Sequence, residues 1–396
     1  MKRLCLPLAV LLLLTACAAP PAAQSPAPTP SPPPAVRPTQ AAPDPTPEPP
    51  AAEGWRRFGD ITAMVPPQNG SYRCVFGEGQ YNRADLPTYA FDDTAVFQGA
   101  EELAAELLEA GKNPGLGVRA LHGQGITGQG VNVAIIDQNL VGEHPEYAGK
   151  IAAYYDSGCG EPAESGSYHG PAVLGILAGE TVGVAPGARV YYAAAPSWLQ
   201  DSAYYADCLY WILEQNEALP ESEKIRLVSV SAAPEEGWYS NAGQWTQAVQ
   251  AAEEAGILVL DCRSQAHTGF VNSAYYDPAA PEDVSKCRPF YPEGAFDGSF
   301  DHVDPQAFAD TVFAPASCRT LAQELVKGEN HYRYEGAGGQ SWSVPYAAGV
   351  LALGWQVNPD LPADTMKELL LASCYRDGDG LHIIDPAAFI ESVRNV

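Results

Sequence analysis

Short, nearly continuous apolar runs alternate with longer helical patterns over most of this chain. Val131-Asn132-Val133-Ala134-Ile135-Ile136 is rich in β-branched residues and follows a glycine-rich entry, Gly125-Ile126-Thr127-Gly128-Gln129-Gly130. A run of that kind predicts a strand buried on both faces, as in a parallel sheet. It stops on a carboxylate, Asp137, at the strand end where open α/β sheets place their ligands. Arg189-Val190-Tyr191-Tyr192, reached through the turn Gly183-Val184-Ala185-Pro186, and Leu227 to Ser231 read as further strands. Ala248 to Leu260 reads as a helix running into another strand. His169 stands before a helix opened by Pro171, in which Gly170, Ala172 and Gly175 permit close packing. A second bare-faced helix carries Ala347, Ala348 and Gly349, with Pro345 in its first turn, where a missing N–H costs little. From Gly54 to about Gly115 the pattern is irregular. Only Ala100 to Ala110 there reads as an amphipathic helix, with Leu103, Leu107 and Leu108 on one face and Gly111 behind it. His144-Pro145-Glu146 reads as a surface turn, and no internal repeat is present.

The first residues bear on the compartment. Lys2 and Arg3 precede an apolar run, Leu4 to Leu14, that is too short to span a bilayer and has the form of a secretory signal. It closes on Leu14-Thr15-Ala16-Cys17, which resembles the lipobox of bacterial lipoproteins and implies lipid on Cys17 of the processed chain. Residues 17 to 53 are mostly Pro, Ala, Thr, Ser and Gln, a composition that buries no core and makes an extended tether. The expected organisation is a signal peptide over 1–16, the tether over 17–53, an arm over 54–114 packed on the domain that follows, and that large domain over 115–396.

Charge and cysteines narrow the function classes. With 22 basic and 48 acidic residues the formal charge is −26, which argues against nucleic acid and anionic lipid as partners for the body of the protein. Beyond Cys17 stand Cys74, Cys159, Cys208, Cys262, Cys287, Cys318 and Cys374, without a Cys-x-x-Cys pair or zinc spacing. Disulfides are chemically allowed outside the cell, and this odd set leaves at least one thiol unpaired within a monomer.

Three stretches carry candidate chemistry. Gly338-Gly339-Gln340-Ser341-Trp342-Ser343 sets a serine at the start of a helix, where free N–H groups and the helix dipole suit a developing oxyanion. A serine there is also an ordinary helix cap. His169 is held in direction by the backbone that starts its helix, and taken singly it also fits a structural role. Asp137 alone is equally a cap.

Taken together they resemble a family. The chain order Asp, His, Ser is that of subtilisin, and each local motif is similar to the subtilase (subtilisin-like serine peptidase) pattern. Gly128-x-Gly130-Val131 to Asp137, His169-Gly170 to Gly179, and Gly339-x-Ser341-x-Ser343-x-Pro345 to Gly349 match its Asp, His and Ser motifs. Leu227 to Ser231, Ala314-Pro315 and Asn358-Pro359-Asp360-Leu361 fill the intervals, so the resemblance covers about Gly115 to the C-terminus. It implies a three-layer α/β fold with a mainly parallel sheet. It also implies a serine endopeptidase with Asp137, His169 and Ser341 as its triad and a peptide substrate lying extended along an edge strand near Leu227 to Ser231.

The pattern breaks at Gln138-Asn139 after the aspartate, at Pro171, and at Gln340 and Trp342 around the serine. The oxyanion asparagine of the family is missing, and its place falls near Gln265, within Asp261-Cys262-Arg263-Ser264-Gln265. No cofactor is expected. Relatives often hold a structural calcium, but Asp377-Gly378-Asp379-Gly380 lacks the rest of a calcium loop and reads as a polar turn. Two rival functions stand beside the peptidase: a catalytically impaired subtilisin-like lipoprotein that binds peptides or a protein partner, and a solute-binding lipoprotein. An esterase is disfavoured because the serine motif is not Gly-x-Ser-x-Gly.

Overall fold

A computed structural model of the chain describes residues 57–59, 73–160, 166–263, 269–289 and 304–396. The signal, Cys17, the tether and Gln265 lie outside the described residues. In chain order the N-terminal part gives β1 (Val75–Phe76), β2 (Ala90–Asp92), β3 (Val96–Phe97) and α1 (Glu101–Ala110). Next come α2 (Val118–Gly123), β4 (Asn132–Asp137), β5 (Ile151–Asp156), α3 (His169–Ala178) and β6 (Arg189–Ala194). These lead into α4 (Ser202–Ala218), β7 (Leu227–Val230), α5 (Ala242–Glu254) and β8 (Leu258–Asp261). The C-terminal third contributes β9 (Val271–Tyr275), β10 (Arg288–Pro289), β11 (Val312–Pro315), β12 (Arg319–Gln323) and β13 (His331–Glu335). It closes with α6 (Gln340–Val357), α7 (Ala363–Ser373), β14 (Tyr375–Arg376), β15 (His382–Ile383) and α8 (Pro386–Arg394).

The central sheet is parallel throughout, in the order β5-β6-β4-β7-β8. Successive side chains on a strand point to opposite faces, and both faces here are covered. Val133 and Ile135 of β4 therefore join one apolar cluster with α3 and α6, while Ala134 and Ile136 join another with α4 and α5. Helix, sheet and helix make a three-layer α/β fold. A second sheet, β10-β9-β11-β15-β14, is parallel at its centre and antiparallel at its two margins.

A third sheet ties the N-terminal segment to the region that leads into Ser341. β2 pairs antiparallel with β13, and β13 pairs with β12. The Tyr334 hydroxyl donates to Pro87 O at 2.9 Å, and the Gly336 N–H donates to Tyr89 O at 3.0 Å. Phe76, Phe91 and Phe97 are buried in the cluster that α3 and α6 share.

Three expectations are corrected by these contacts. His144 and Glu146 are not on a surface turn: both are buried, at 0% and 1% exposure. The Glu146 carboxylate accepts from Thr181 N and Oγ1, Val182 N and the Tyr332 hydroxyl, donors that lie far away in the chain. Burial opposes its charge, yet those donors hold the Glu146 carboxyl below the usual range. β7 is not an edge strand, because β4 and β8 occupy both its sides. An extended peptide cannot pair with Leu227–Val230. Finally, the serine helix starts at Gln340, so Pro345 sits in its second turn and not its first.

Candidate active site

Asp137 ends β4 and is buried, and His169 opens α3. A β-carbon on Gly170 would stand 2.6 Å from Gln138 O and 2.7 Å from the Tyr192 hydroxyl, so only glycine lets the helix start this close to the strand end. The result is a hydrogen bond of 2.7 Å between His169 Nδ1 and Asp137 Oδ1. A carboxylate can only accept here, so the proton sits on Nδ1 and leaves Nε2 with its lone pair. Asp137 Oδ1 also takes the Gln138 N–H at 2.8 Å. Burial works against the charged imidazole, but the Asp137 charge and hydrogen bond outweigh it and raise the His169 pKa above the ordinary histidine value.

Ser341 is the second residue of α6, a helix entered through Gly338. Gly338 adopts φ +86°, which a side chain rarely tolerates, and a β-carbon there would meet Ala316 O at 2.6 Å. The first turn of a helix leaves its N–H groups without intrahelical partners, so the Ser341 N–H is open to a ligand. Pro345 has an unforeseen consequence. It lacks the N–H that would bond the carbonyl of Ser341 four residues earlier. Ser231, just beyond β7, supplies the donor instead: its Oγ reaches Ser341 O at 2.8 Å. The Ser341 hydroxyl in turn donates to Ser231 O at 3.4 Å. Ser341 and the end of β7 thus hold each other in place.

The neighbours of Ser341 complete the site. Gln340 Nε2 donates to Val271 O at 2.9 Å and Arg263 O at 3.4 Å, joining the ends of β8 and β9. The Cys262 thiol lies beside the Ser341 hydroxyl. Burial, with the Asp261 and Asp137 charges, pushes its pKa well above the ordinary thiol value, although the bond from Ser341 works the other way. It stays a neutral thiol and does not compete as a nucleophile. The Trp342 indole is 5.0 Å from the His169 ring, centroid to centroid. The Gln138 side chain donates to Ser197 Oγ at 2.5 Å and ties the loop after β6 to the aspartate.

The structure therefore brings Asp137 and His169 into direct contact. Trp342, the residue after Ser341, brings its ring to 5.0 Å from the His169 ring. Among the described residues no hydrogen bond joins His169 to the Ser341 hydroxyl. The described cysteines Cys74, Cys159, Cys208, Cys262, Cys287, Cys318 and Cys374 are all free thiols. Among the described residues no group of three or more His, Cys, Asp or Glu side chains is arranged to hold a metal ion. The Asp377 carboxylate accepts the N–H groups of Asp379 and Leu381 at 3.0 Å and 2.8 Å. The sequence marks Ser231 only as the end of a strand, although Pro345 is a signal: a proline in the second turn implies that some other group must satisfy the carbonyl it leaves behind.

An Asp–His pair at the end of β4 and the start of α3, together with a serine at the start of the buried helix α6, is set on a three-layer α/β fold. Comparison with known proteins places it in a family. Residues 128–274 match the model of the subtilase family. The chain is 38% identical over 283 residues to Subtilisin E of Bacillus subtilis (strain 168), covering 68% of this chain and 68% of that protein. It is 28% identical over 286 residues to Serine protease AprX of the same organism, covering 63% of this chain. The chain spans 62% of the length of AprX. The crystal structure of fervidolysin from Fervidobacterium pennivorans, a keratinolytic enzyme related to subtilisin, shares the fold. It aligns with a TM-score of 0.51 and 18% identity, over 73% of this chain and 46% of that one. The chain belongs to the subtilase family, the subtilisin-like serine peptidases.

Proposed function

We propose that this chain is an extracytoplasmic serine endopeptidase, tethered to a bacterial membrane by lipid on Cys17. The observation that carries the chemistry is the 2.7 Å Asp137–His169 hydrogen bond beside a serine at a helix start. Ser341 Oγ attacks the scissile carbonyl while His169 Nε2 takes its proton. The imidazolium then returns that proton to the leaving amine, and water resolves the acyl-enzyme by the same steps. Asp137 keeps the imidazole in the correct tautomer and offsets its charge. The Ser341 N–H stabilises the oxyanion, with Gln265 proposed as the side-chain donor; removing such a donor lowers turnover about 10² to 10³-fold.

A fluorophosphonate probe tests the reading directly. The wild-type chain should be labelled at Ser341, and Ser341→Ala should not. A second reading is favoured by the Ser341 hydroxyl resting on Ser231 O: the site binds peptides without cleaving them. An unlabelled wild-type protein that still binds peptide would establish that reading and sink the first. The anchor has its own test. Cys17→Ala should release processed protein from membranes or leave the precursor uncut, and unchanged retention of cleaved protein would refute it.

A further inference from the structure

The Trp342 side chain departs from the family pattern at the residue next to the nucleophile, and its surroundings assign it a role. It is 5% exposed, and its ring lies 5.0 Å from the His169 ring, tilted by 37°. Tyr168 stands 6.5 Å from both the Trp342 and His169 rings, and the Arg333 guanidinium covers the Tyr168 ring at 4.8 Å. Two aromatic rings therefore wall the imidazole, one from the helix that bears Ser341 and one from the residue before His169. An imidazole held only by Nδ1 can swing about that single bond. A large flat ring against its face removes that freedom. Trp also presents the strongest aromatic quadrupole to a cation.

We infer that Trp342 is a positioning residue of the proposed peptidase: its indole packs on the imidazole of His169, fixes the direction of Nε2, and stabilises the imidazolium formed when Ser341 gives up its proton. This rests on the serine peptidase reading and adds to it. Asp137 is the charged group that His169 meets. The other ionisable groups that feel Asp137 are Tyr192, Tyr205, Cys159 and Cys262, and burial pushes each of them up so that all stay neutral where histidine titrates. Arg333 is held behind Tyr168 and by Glu335 at 2.9 Å. The pH response near neutrality therefore belongs to His169.

The experiment uses the full chain. The maximal labelling rate (kinact) and half-saturating concentration (KI) of a fluorophosphonate probe are measured against pH for the wild type, Trp342→Met and Trp342→Phe. Trp342→Met should lower kinact about threefold to tenfold, with KI within about twofold. The midpoint of the acid limb should fall by about half a pH unit to one unit, because the imidazolium has lost its cation–π partner. Trp342→Phe should recover most of both effects. Unchanged kinact and midpoint, or a change confined to KI, would overturn the inference. A second measurement does not depend on activity. The fluorescence difference between wild type and Trp342→Phe isolates Trp342, and it should titrate with His169 and become flat in His169→Gln. A difference that is flat with pH in the wild type overturns the contact. If the wild type never labels, the peptidase reading falls, while this titration still decides whether Trp342 senses His169.

Discussion

The two halves of the candidate site differ in how far they are assembled. On one side, Asp137 and His169 meet at 2.7 Å, held by a strand end and a helix start that only a glycine lets approach. On the other, the Ser341 hydroxyl rests on Ser231 O at 3.4 Å. The Asp–His pair is a charge-assisted hydrogen bond in a partly buried setting, strong enough to form without a ligand. The serine must leave a weak contact to be activated, as in many sites whose catalytic bonds tighten only around a substrate. On the proposed reading, the difference locates preorganisation in Asp137 and His169, and leaves Ser341 to be drawn in.

The largest test of that asymmetry removes the serine half. Ser341→Ala should cost roughly 10⁴ to 10⁶-fold in turnover, and adding His169→Ala should cost little more. Additive losses, read from turnover of the single and double variants, would mean that the two halves do not share one mechanism. Asp137→Asn comes next, with an expected loss near 10⁴-fold because it favours the wrong tautomer. It should also move the pH profile in a defined direction. In the proposed mechanism the rate requires neutral His169, whose pKa Asp137 raises. The wild-type acid limb should therefore have its midpoint above the ordinary histidine value of about 6.5, and the variant's should fall below the wild-type one. Residual turnover measured from pH 5 to 9 decides it; a midpoint that does not move removes Asp137 from the site.

Smaller effects should come from the supports of the serine. Ser231→Ala leaves the Ser341 carbonyl without either its helical donor or its substitute. The expected stability loss is about 1 to 3 kcal/mol by denaturant titration, with turnover falling about tenfold. Full activity with unchanged stability would mean that water replaces the hydroxyl. Gly336→Ala probes the junction between the N-terminal segment and the approach to Ser341, because its β-carbon would run into the backbone of Thr88. We expect a loss of about 1 to 3 kcal/mol and a few-fold drop in labelling. A neutral result by the same titration would show that residues 87–92 can shift without disturbing the turn that carries the serine.

Much of this was legible locally. The β-branched run before Asp137, the small residues after His169 and the glycines before Ser341 each encode their element through neighbours in the chain. Hydrophobic period and turn chemistry are short-range properties, so β4, α3 and α6 could be placed from sequence along with their candidate side chains. Boundaries were less legible. The serine helix begins at Gln340 because the glycine entry and the pairing with Ser231 compensate for a proline in its second turn.

What only the tertiary structure decided is the set of contacts between distant positions. The reciprocal Ser231–Ser341 bonds join residues 110 apart, and the Asp137–His169 bond joins residues 32 apart. Glu146 is polar and its local pattern is that of a turn, so burial could not be read until Thr181 and Tyr332 were seen to satisfy it. β7 reads as a strand in sequence, but whether it is an edge depends on where β8 lands. Trp342 behaves the same way: its size is visible in the sequence, but not the imidazole it covers. Local pattern determines what each segment becomes. The partners depend on how the segments pack, since a hydrogen bond or ring contact is a property of two surfaces and the sequence around either residue records only one.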